Sequence, residues 1–200
     1  MPLTRDETRG SGLALAIDLI NTWDELEPEP DLIEGLEDVR TLLEWHGLPA
    51  AAKALGNADV ERVRVLRARF DDIFDANGED EAASRLNELA REHGTPPVLE
   101  RAGGSWRLRS WPDESEGLPA VAAYATAGLL AAFQELGWAR FGRCAGAPCR
   151  CAYVDRSRNR SRRYCCTLCA DRVAQAQYRS RKREASRPQS ARAGRGGKGG

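Results

Sequence analysis

The cysteines are the residues of this chain best suited to chemistry, because all six fall between positions 144 and 169. Four of them form two closely spaced pairs, Cys144 with Cys149 and Cys165 with Cys169, and fifteen residues separate the pairs. Two thiolates on a tight turn can supply half of a tetrahedral Zn²⁺ site. The spacing therefore predicts one structural zinc ion held by four cysteines, with no open position for a catalytic water.

Cys151 and Cys166 are left outside this ligand set. Cys151 lies two residues beyond Cys149 and Cys166 is adjacent to Cys165, and neighbouring side chains seldom both reach one tetrahedral centre. Disulfides or plain buried thiols are the alternatives for the six, but disulfides need an oxidising compartment. The two thiols outside the ligand set also suggest that this cysteine-rich region is redox-sensitive. Oxidation of its thiols would release the metal, and the fold that the metal holds would be lost with it.

The segment between the two cysteine pairs is unusually basic, with five arginines in the nine residues 155–163. Guanidinium groups bind phosphate oxygens bidentately, and a loop tethered at both ends by metal ligands has little entropy left to lose. A helix with a continuous basic face is predicted over 168–183. The expected nucleic-acid contacts are Arg156, Arg158, Arg160, Arg162, Arg163, Arg172, Gln175, Arg179, Lys182 and Arg183.

Within that set, the residue types suggest different roles in contacting duplex DNA. Gln175 suits adenine in a major groove, Arg172 or Arg179 suits guanine, and the others suit phosphates. Three alternatives remain open: arginines that only solvate the metal knuckle, an RNA-binding module, and a protein-docking knuckle that tolerates high salt. Tyr164 and Tyr178 could stack on bases, but packing inside the knuckle is the favoured expectation for both.

The stretch from Cys144 to Arg183 resembles the CGNR zinc finger, a family found mostly in bacteria. The matching features are the cysteine pairs, the run 154–160 and the step 162–165. The naming tetrapeptide stands here as Cys169-Ala170-Asp171-Arg172, with its Gly and Asn replaced. Such fingers usually follow an ABATE domain, which residues 16–22 resemble. The resemblance implies a stress-related transcription regulator whose N-terminal domain senses a ligand or mediates oligomers.

Charge and hydrophobicity narrow the class of protein further. Residues 1–140 carry 14 basic and 27 acidic side chains, whereas residues 141–200 carry 16 and 3. This asymmetry favours a polyanion-binding C-terminal part and suggests that the acidic part folds back on it. No run of eighteen apolar residues exists, and Met1 to Gly12 lacks the apolar core of a secretory signal. A cytoplasmic, nucleoid-associated location is expected.

Catalysis finds no support in the remaining residues. Both histidines, His46 and His93, fall at predicted helix ends, where capping or solvent exposure explains them. No nucleophile motif or phosphate-binding glycine loop accompanies them, so the chain is not expected to be an enzyme. A small-molecule effector between the N-terminal helices would have Trp23, Trp45 and Trp106 as candidate lining, although ordinary core tryptophans are the favoured interpretation.

The elements that must position the zinc site are predicted to be mainly helical. The apolar run 13–22 fits a buried strand or a core helix, and its one acid, Asp18, is expected to cap a turn or pair locally. Further helices are predicted from Asp31 as N-cap to Trp45, from 57 or 59 to the stop signal Asn77-Gly78, over 79–93 and over 120–136. A β-hairpin is predicted over 97–111.

These elements combine into a fold class of mainly α structure with a small β-hairpin. An α-rich N-terminal domain is predicted over 1–137 and a treble-clef or ribbon-like zinc finger over 138–184. The tail 185–200 is basic and rich in glycine, so it cannot bury a core and is expected to be disordered.

Overall fold

The structure is a computed structural model that describes residues 11–94, 96, 98–102, 104–109, 112 and 116–185. Within these ranges the fold is mainly helical, with two small antiparallel strand pairs, which confirms the predicted class. The elements are α1 Gly12–Ile20, α2 Leu36–Trp45, α3 Pro49–Ala54, α4 Asp59–Phe74, α5 Glu79–His93, β1 Val98–Ala102, β2 Ser105–Arg109, α6 Leu118–Leu136, β3 Phe141–Arg143, β4 Ala152–Val154 and α7 Thr167–Ala185.

The central element is α1, in which every residue is buried. Ser11 caps it, because its side chain accepts a hydrogen bond from the backbone N–H of Ala14 at 3.2 Å. The helix crosses α6 so closely that a Cβ at Gly128 would lie 2.0 Å from the backbone nitrogen of Leu13. The apolar run 13–22 is therefore a core helix, and glycine at position 128 permits the crossing.

Asp18 and His46 form a buried polar pair that the sequence did not predict. The Oδ2 atom of Asp18 lies 3.1 Å from Nε2 of His46, 28 residues away. His46 caps the end of α2, which is one of the two roles predicted for it, and it is buried rather than exposed to solvent. The pair joins the central helix to the end of α2 without leaving either polar group in water.

The start of α2 also differs from the prediction. Asp31 does not cap it; the helix begins at Leu36, and the carboxylate of Asp38 accepts the backbone N–H groups of Glu34 and Gly35, each at 2.9 Å. The carboxylate of Asp31 instead accepts two hydrogen bonds from the guanidinium of Arg67 in α4. These bonds, followed by the charge of Arg67 and Arg64, hold the pKa of Asp31 below its usual value despite partial burial.

The remaining helices of the N-terminal part bury the faces that periodicity predicted. Helix α4 buries Val63, Leu66, Phe70 and Ile73, and α5 buries Leu86 and Leu89. The bounds of α5 agree with the prediction, while the short α3 was not predicted because only Pro49 marked its start. None of the described helices is long and apolar enough to cross a membrane.

The hairpin β1–β2 has Leu99 opposite Leu108 and Arg101 opposite Trp106. Trp106 is 63 % exposed, and Trp23 and Trp45 are also exposed. The three tryptophans are therefore neither core residues nor the walls of the cavity described below. Parts of two predictions, the hairpin ends 97 and 111 and the tail from 186, lie outside the described residues.

The C-terminal part shares the core of the N-terminal part. Ala152 and Val154 of β4 are buried in the same cluster as α1 and α6. Phe141 of β3 lies in an aromatic group with Phe74, Phe133 and Trp138, its ring centroid 5.4 Å from that of Phe74. The strand pair that leads into the cysteines is thus fixed on the helical core.

Candidate metal centre

The metal centre consists of the four predicted cysteines, whose sulfur atoms all lie within 4.8 Å of one another. Cys144 and Cys149 lie on the turn between β3 and β4; Cys165 precedes α7 and Cys169 lies in its first turn. A knuckle, a strand pair and a helix carrying the last ligand form a treble-clef-like arrangement. The elements thus bring two distant sequence pairs to one point.

The distances fit zinc. Cys165 Sγ lies 3.7 Å from both Cys149 Sγ and Cys169 Sγ, and four sulfurs each about 2.3 Å from a tetrahedral zinc ion would be about 3.8 Å apart. Four thiolates this close repel one another unless a cation lies between them. The four thiols therefore suit one Zn²⁺ ion as a structural cofactor.

Burial and neighbouring groups set the pKa values of these thiols. Burial would raise the pKa of Cys144, but hydrogen bonds from the backbone of Cys165 and Gly146 outweigh it and lower the pKa. Burial raises the pKa of Cys149, and burial together with the nearby Cys165 raises the pKa of Cys169 to about 12. The pKa of Cys165 is raised first by the Cys151 thiol and then by burial. Metal ligation requires the thiolate form, so zinc binding must displace protons here.

The two spare cysteines border the centre without joining it. Cys166 Sγ lies 3.8 Å from Cys165 Sγ, and the buried Cys151 neighbours Cys149 and Cys165. All six cysteines, which the structure describes in full, are free thiols. Disulfides are therefore not part of this fold.

Asp155 anchors the arginine-rich loop next to the metal centre. Its carboxylate, which is buried, accepts the backbone N–H of Ser157 at 2.7 Å and that of Arg162 at 3.0 Å. Burial alone would raise the pKa of Asp155, but the bonds from Ser157 and Arg162 and the charge of Arg140 outweigh it and lower the pKa. The sequence shows Asp155 as the one acid in a basic run, which is the signal that could have identified it.

Tyr153 fixes the far end of the same loop. Its hydroxyl donates to the carbonyl of Arg162 at 2.8 Å, and its ring lies over Gly142, where a Cβ would come within 2.8 Å of it. The guanidinium of Arg162 in turn lies 5.0 Å from the centre of that ring and donates to the carbonyls of Tyr164 and Cys165. Arg162 is thus engaged inside the finger.

Arg172 is also engaged inside the finger. Its guanidinium donates to the carbonyls of Gly146 and Ala147, and it lies 3.8 Å from Cys169 Sγ. The bond to Cys169 raises the pKa of Arg172. The arginine of the naming tetrapeptide therefore ties α7 to the knuckle that carries Cys144 and Cys149.

The other predicted contact residues are exposed. Among the described residues, no hydrogen-bond or ion-pair partner is found for the side chains of four loop arginines and three helix residues. These are Arg156, Arg158, Arg160, Arg163, Gln175, Arg179 and Arg183. Lys182 is exposed and has an interaction of its own. The acidic part of the chain does not neutralise these loop arginines within the described ranges.

Helix α7 leaves the body of the protein after its second turn. Cys169 is buried and Val173 half-buried, but residues 174–184 are all exposed. Two expectations are therefore wrong: Ala176 does not pack on the knuckle, and Tyr178 is 63 % exposed. Tyr164, by contrast, packs against the cysteine cluster as expected.

Two contacts that the sequence did not reveal hold the finger on the helical core. The Asn21 side chain donates to the Ala152 carbonyl at 3.0 Å and accepts its N–H at 2.8 Å, both buried. Arg143 bonds Asp71 and Asp75 of the α4 region, and these carboxylates raise its pKa although burial would lower it. Within the described residues, the acidic part thus bonds Arg143 and Arg150, which lie outside the loop.

Comparison with known proteins identifies both parts of the chain. A family model described as "Putative stress-induced transcription regulator", ABATE, matches residues 13–132. The model of the CGNR zinc finger matches residues 140–182. No curated protein matches the chain.

Proposed function

Since this chain belongs to the ABATE family and carries a CGNR zinc finger, we propose that it is a transcription regulator that binds duplex DNA through the finger. One zinc ion, bound by Cys144, Cys149, Cys165 and Cys169, holds the finger together. With four protein ligands the ion has no open position for water, so its role is structural and not hydrolytic.

The observation that carries the proposal is the state of the loop arginines. Arg156, Arg158, Arg160 and Arg163 are exposed and have no hydrogen-bond or ion-pair partner among the described residues, yet the backbone beneath them is fixed by Asp155 and Tyr153. Guanidinium groups on a fixed backbone bind phosphates with little further loss of entropy. Four cations on one short loop repel each other, and a polyanion relieves that repulsion.

The exposed part of α7 supplies the second contact surface. Residues 174–184 form about 16 Å of helix whose residues are exposed throughout, and a B-DNA major groove accepts an isolated α-helix. Gln175 and Arg179 are the candidates for reading bases, while Lys182 and Arg183 are suited to phosphates. Arg162 and Arg172, being engaged inside the finger, act by positioning the loop and helix rather than by reading bases.

For the N-terminal domain we propose the sensing role that the family resemblance implies, and we assign the sensor site to the junction with the finger rather than to the tryptophans. Oligomerisation by this domain is the other role consistent with the proposal. A regulator of this kind works in the cytoplasm, in association with the nucleoid.

The test is binding of a 20-base-pair duplex of mixed sequence to the full zinc-loaded chain, measured by fluorescence anisotropy across a salt series. The double variant Arg158→Gln/Arg160→Gln should bind more weakly, with the log–log salt slope reduced by about 0.9 for each phosphate that the variant no longer neutralises. Arg91→Gln, which removes an exposed arginine of α5, is the matched control and should leave both affinity and slope unchanged.

Three results would contradict the proposal. The first is absence of binding at low salt by a chain that holds zinc, which would favour a protein-docking knuckle. The second is tighter binding to single-stranded RNA of the same length than to the duplex. The third is an equal loss of affinity in Arg91→Gln and in the loop variant.

A further inference from the structure

A cavity of about 270 Å³ lies where the finger meets the central helix. One wall comes from Leu13, Ala14 and Ile17 of α1, and the other from the finger, including Val154 and Cys166. We propose that this cavity binds a small, uncharged, apolar molecule of one or two rings or a short hydrocarbon chain. The site adjoins the arginine surface at Arg156 and has no tryptophan in its walls.

The chemistry of the ligand follows from what the walls have left to offer. The polar side chains that line the cavity away from its mouth have partners within the protein: Asn21 bonds Ala152, Arg162 bonds two carbonyls and lies over the Tyr153 ring, and the Tyr153 hydroxyl donates to the Arg162 carbonyl. The half-buried Asp24 accepts the backbone N–H of Leu26 at 2.9 Å. A water molecule needs two to four polar partners to be held in a cavity. A cavity that presents mainly aliphatic carbon and sulfur therefore favours an apolar occupant over water or a polar ligand.

The residues at the mouth of the cavity also favour an apolar ligand. Leu26 is 41 % exposed and Leu168 is 76 % exposed, and both line the cavity. A ligand seated between them would remove their apolar surface from water. Glu27 and Arg156, which line the cavity without a partner among the described residues, are exposed and so lie at the entrance.

The position of the cavity allows a bound ligand to affect the finger. Its walls include Cys149, Cys165 and Cys169 of the metal centre and Arg156 of the loop, together with α1. A molecule that contacts both parts stabilises their docked arrangement, so its affinity and that of the loop's partner must be linked. This linkage rests on the proposed DNA binding, whereas the binding site itself does not.

The test uses the full zinc-loaded chain and N-phenyl-1-naphthylamine, an uncharged fluorophore that brightens in apolar surroundings. We expect a saturable rise in fluorescence with one site per chain. Ala14→Leu fills the cavity from α1 and should weaken binding at least about ten-fold, which is a free-energy change of about 1.4 kcal/mol. Ala68→Leu adds the same side chain at an exposed position of α4 and should leave the affinity unchanged.

A second variant keeps the test independent of core packing. Leu168→Gln alters a residue that is already exposed, so the chain should fold and hold zinc, but the probe should bind several-fold more weakly. Absence of saturable binding, or equal binding by the parent, Ala14→Leu and Leu168→Gln, would overturn the proposal. Binding that appears only after deletion of residues 2–10 would also overturn it, because the chain's own N-terminal segment would then be the occupant. None of these readouts uses DNA.

Discussion

At the scale of single residues, Asp155 decides the shape of the surface that we assign to DNA. It is buried beneath a run of five arginines and holds the loop through the backbone N–H groups of Ser157 and Arg162. An acid in a DNA-binding loop would be unfavourable if it faced the phosphates. Here it faces inward, so its charge acts on backbone groups and the guanidinium groups of all five arginines except Arg162 remain exposed.

Replacing Asp155 by alanine should destabilise the zinc-loaded chain by roughly 3 kcal/mol, because charge-assisted hydrogen bonds contribute about 1.5–3 kcal/mol each. Denaturant unfolding measures this loss, and duplex binding should weaken in parallel. Asp171→Ala removes an equal charge from an exposed site of the finger and serves as the control. An equal loss of stability in both variants would contradict the anchoring role.

Asp155 should also make the stability of the folded chain depend on pH. The pKa of Asp155 is lower in the folded chain than in the unfolded one. Its stabilising contribution is therefore complete above the unfolded pKa of about 3.9 and is lost as the pH falls through the lower, folded value. Asp155→Ala should lack this part of the acid dependence, which unfolding measured across that pH range would reveal.

At the scale of elements, the exposed part of α7 is the least supported helix of the protein among the described residues. Isolated helices shorter than about 12–15 residues are marginal in water, and residues 174–184 are all exposed. Arg179 and Arg183 also stand four residues apart on one face, which weakens the helix slightly. A nucleic-acid partner would supply both the packing and the opposite charge.

Substitution of Ala176 by glycine tests whether this helix must be ordered for binding. The side chain at 176 is exposed, so the change costs helix propensity of about 1 kcal/mol and no packing. If the helix binds DNA as a helix, the affinity should fall about five-fold while the zinc content is unchanged. Ala185→Gly, at the last residue of the helix, should have little effect, and an unchanged affinity in Ala176→Gly would show that the helix is not part of the interface.

At the scale of the whole molecule, the two family regions share one core. Ala152 and Val154, which lie between the cysteine pairs, are buried against α1 and α6. Salt bridges from Arg143 and Arg150 to α4 and the residue after it add to this contact. Loss of the metal should therefore destabilise the helical domain as well as the finger.

Removal of zinc should lower the thermal midpoint of the helical domain as well as that of the finger. Circular dichroism at 222 nm, dominated by the N-terminal helices, should show one transition that moves to lower temperature on chelation. Cys165→Ser should reproduce the shift, and Cys166→Ser should not, since only the former removes a predicted ligand. A 222-nm transition unmoved by chelation would mean that the two parts unfold independently.

The sequence was sufficient for the features that depend on local pattern. Four closely spaced cysteines identified the metal centre, and periodic apolar residues located α4, α5 and most of α6 and α7. It was insufficient where one polar residue could choose between a local and a distant partner. Asp31 bonds Arg67 rather than the start of α2, and Asp18 contacts His46, 28 residues away.

Solvent exposure was the second property that the sequence pattern could not predict. Ala176 and Tyr178 lie at spacings that suit a packed face, but the helix that carries them extends past the surface available to cover it. The tryptophans at 23, 45 and 106 are large and apolar, yet tertiary structure leaves them at the surface. Neither outcome follows from residue type, because both depend on where neighbouring elements end.

The pair of bonds between Asn21 and Ala152 has a consequence for how such fingers can be exchanged between proteins. One amide side chain matches the N–H and carbonyl of a single strand residue, so it accepts β4 in one register alone. A finger transplanted onto a helical domain without asparagine at this position would leave two backbone groups buried and unbonded, a penalty of several kcal/mol. The finger and the residue at position 21 are therefore expected to be inherited together, and a chimaera should fold only when both are moved.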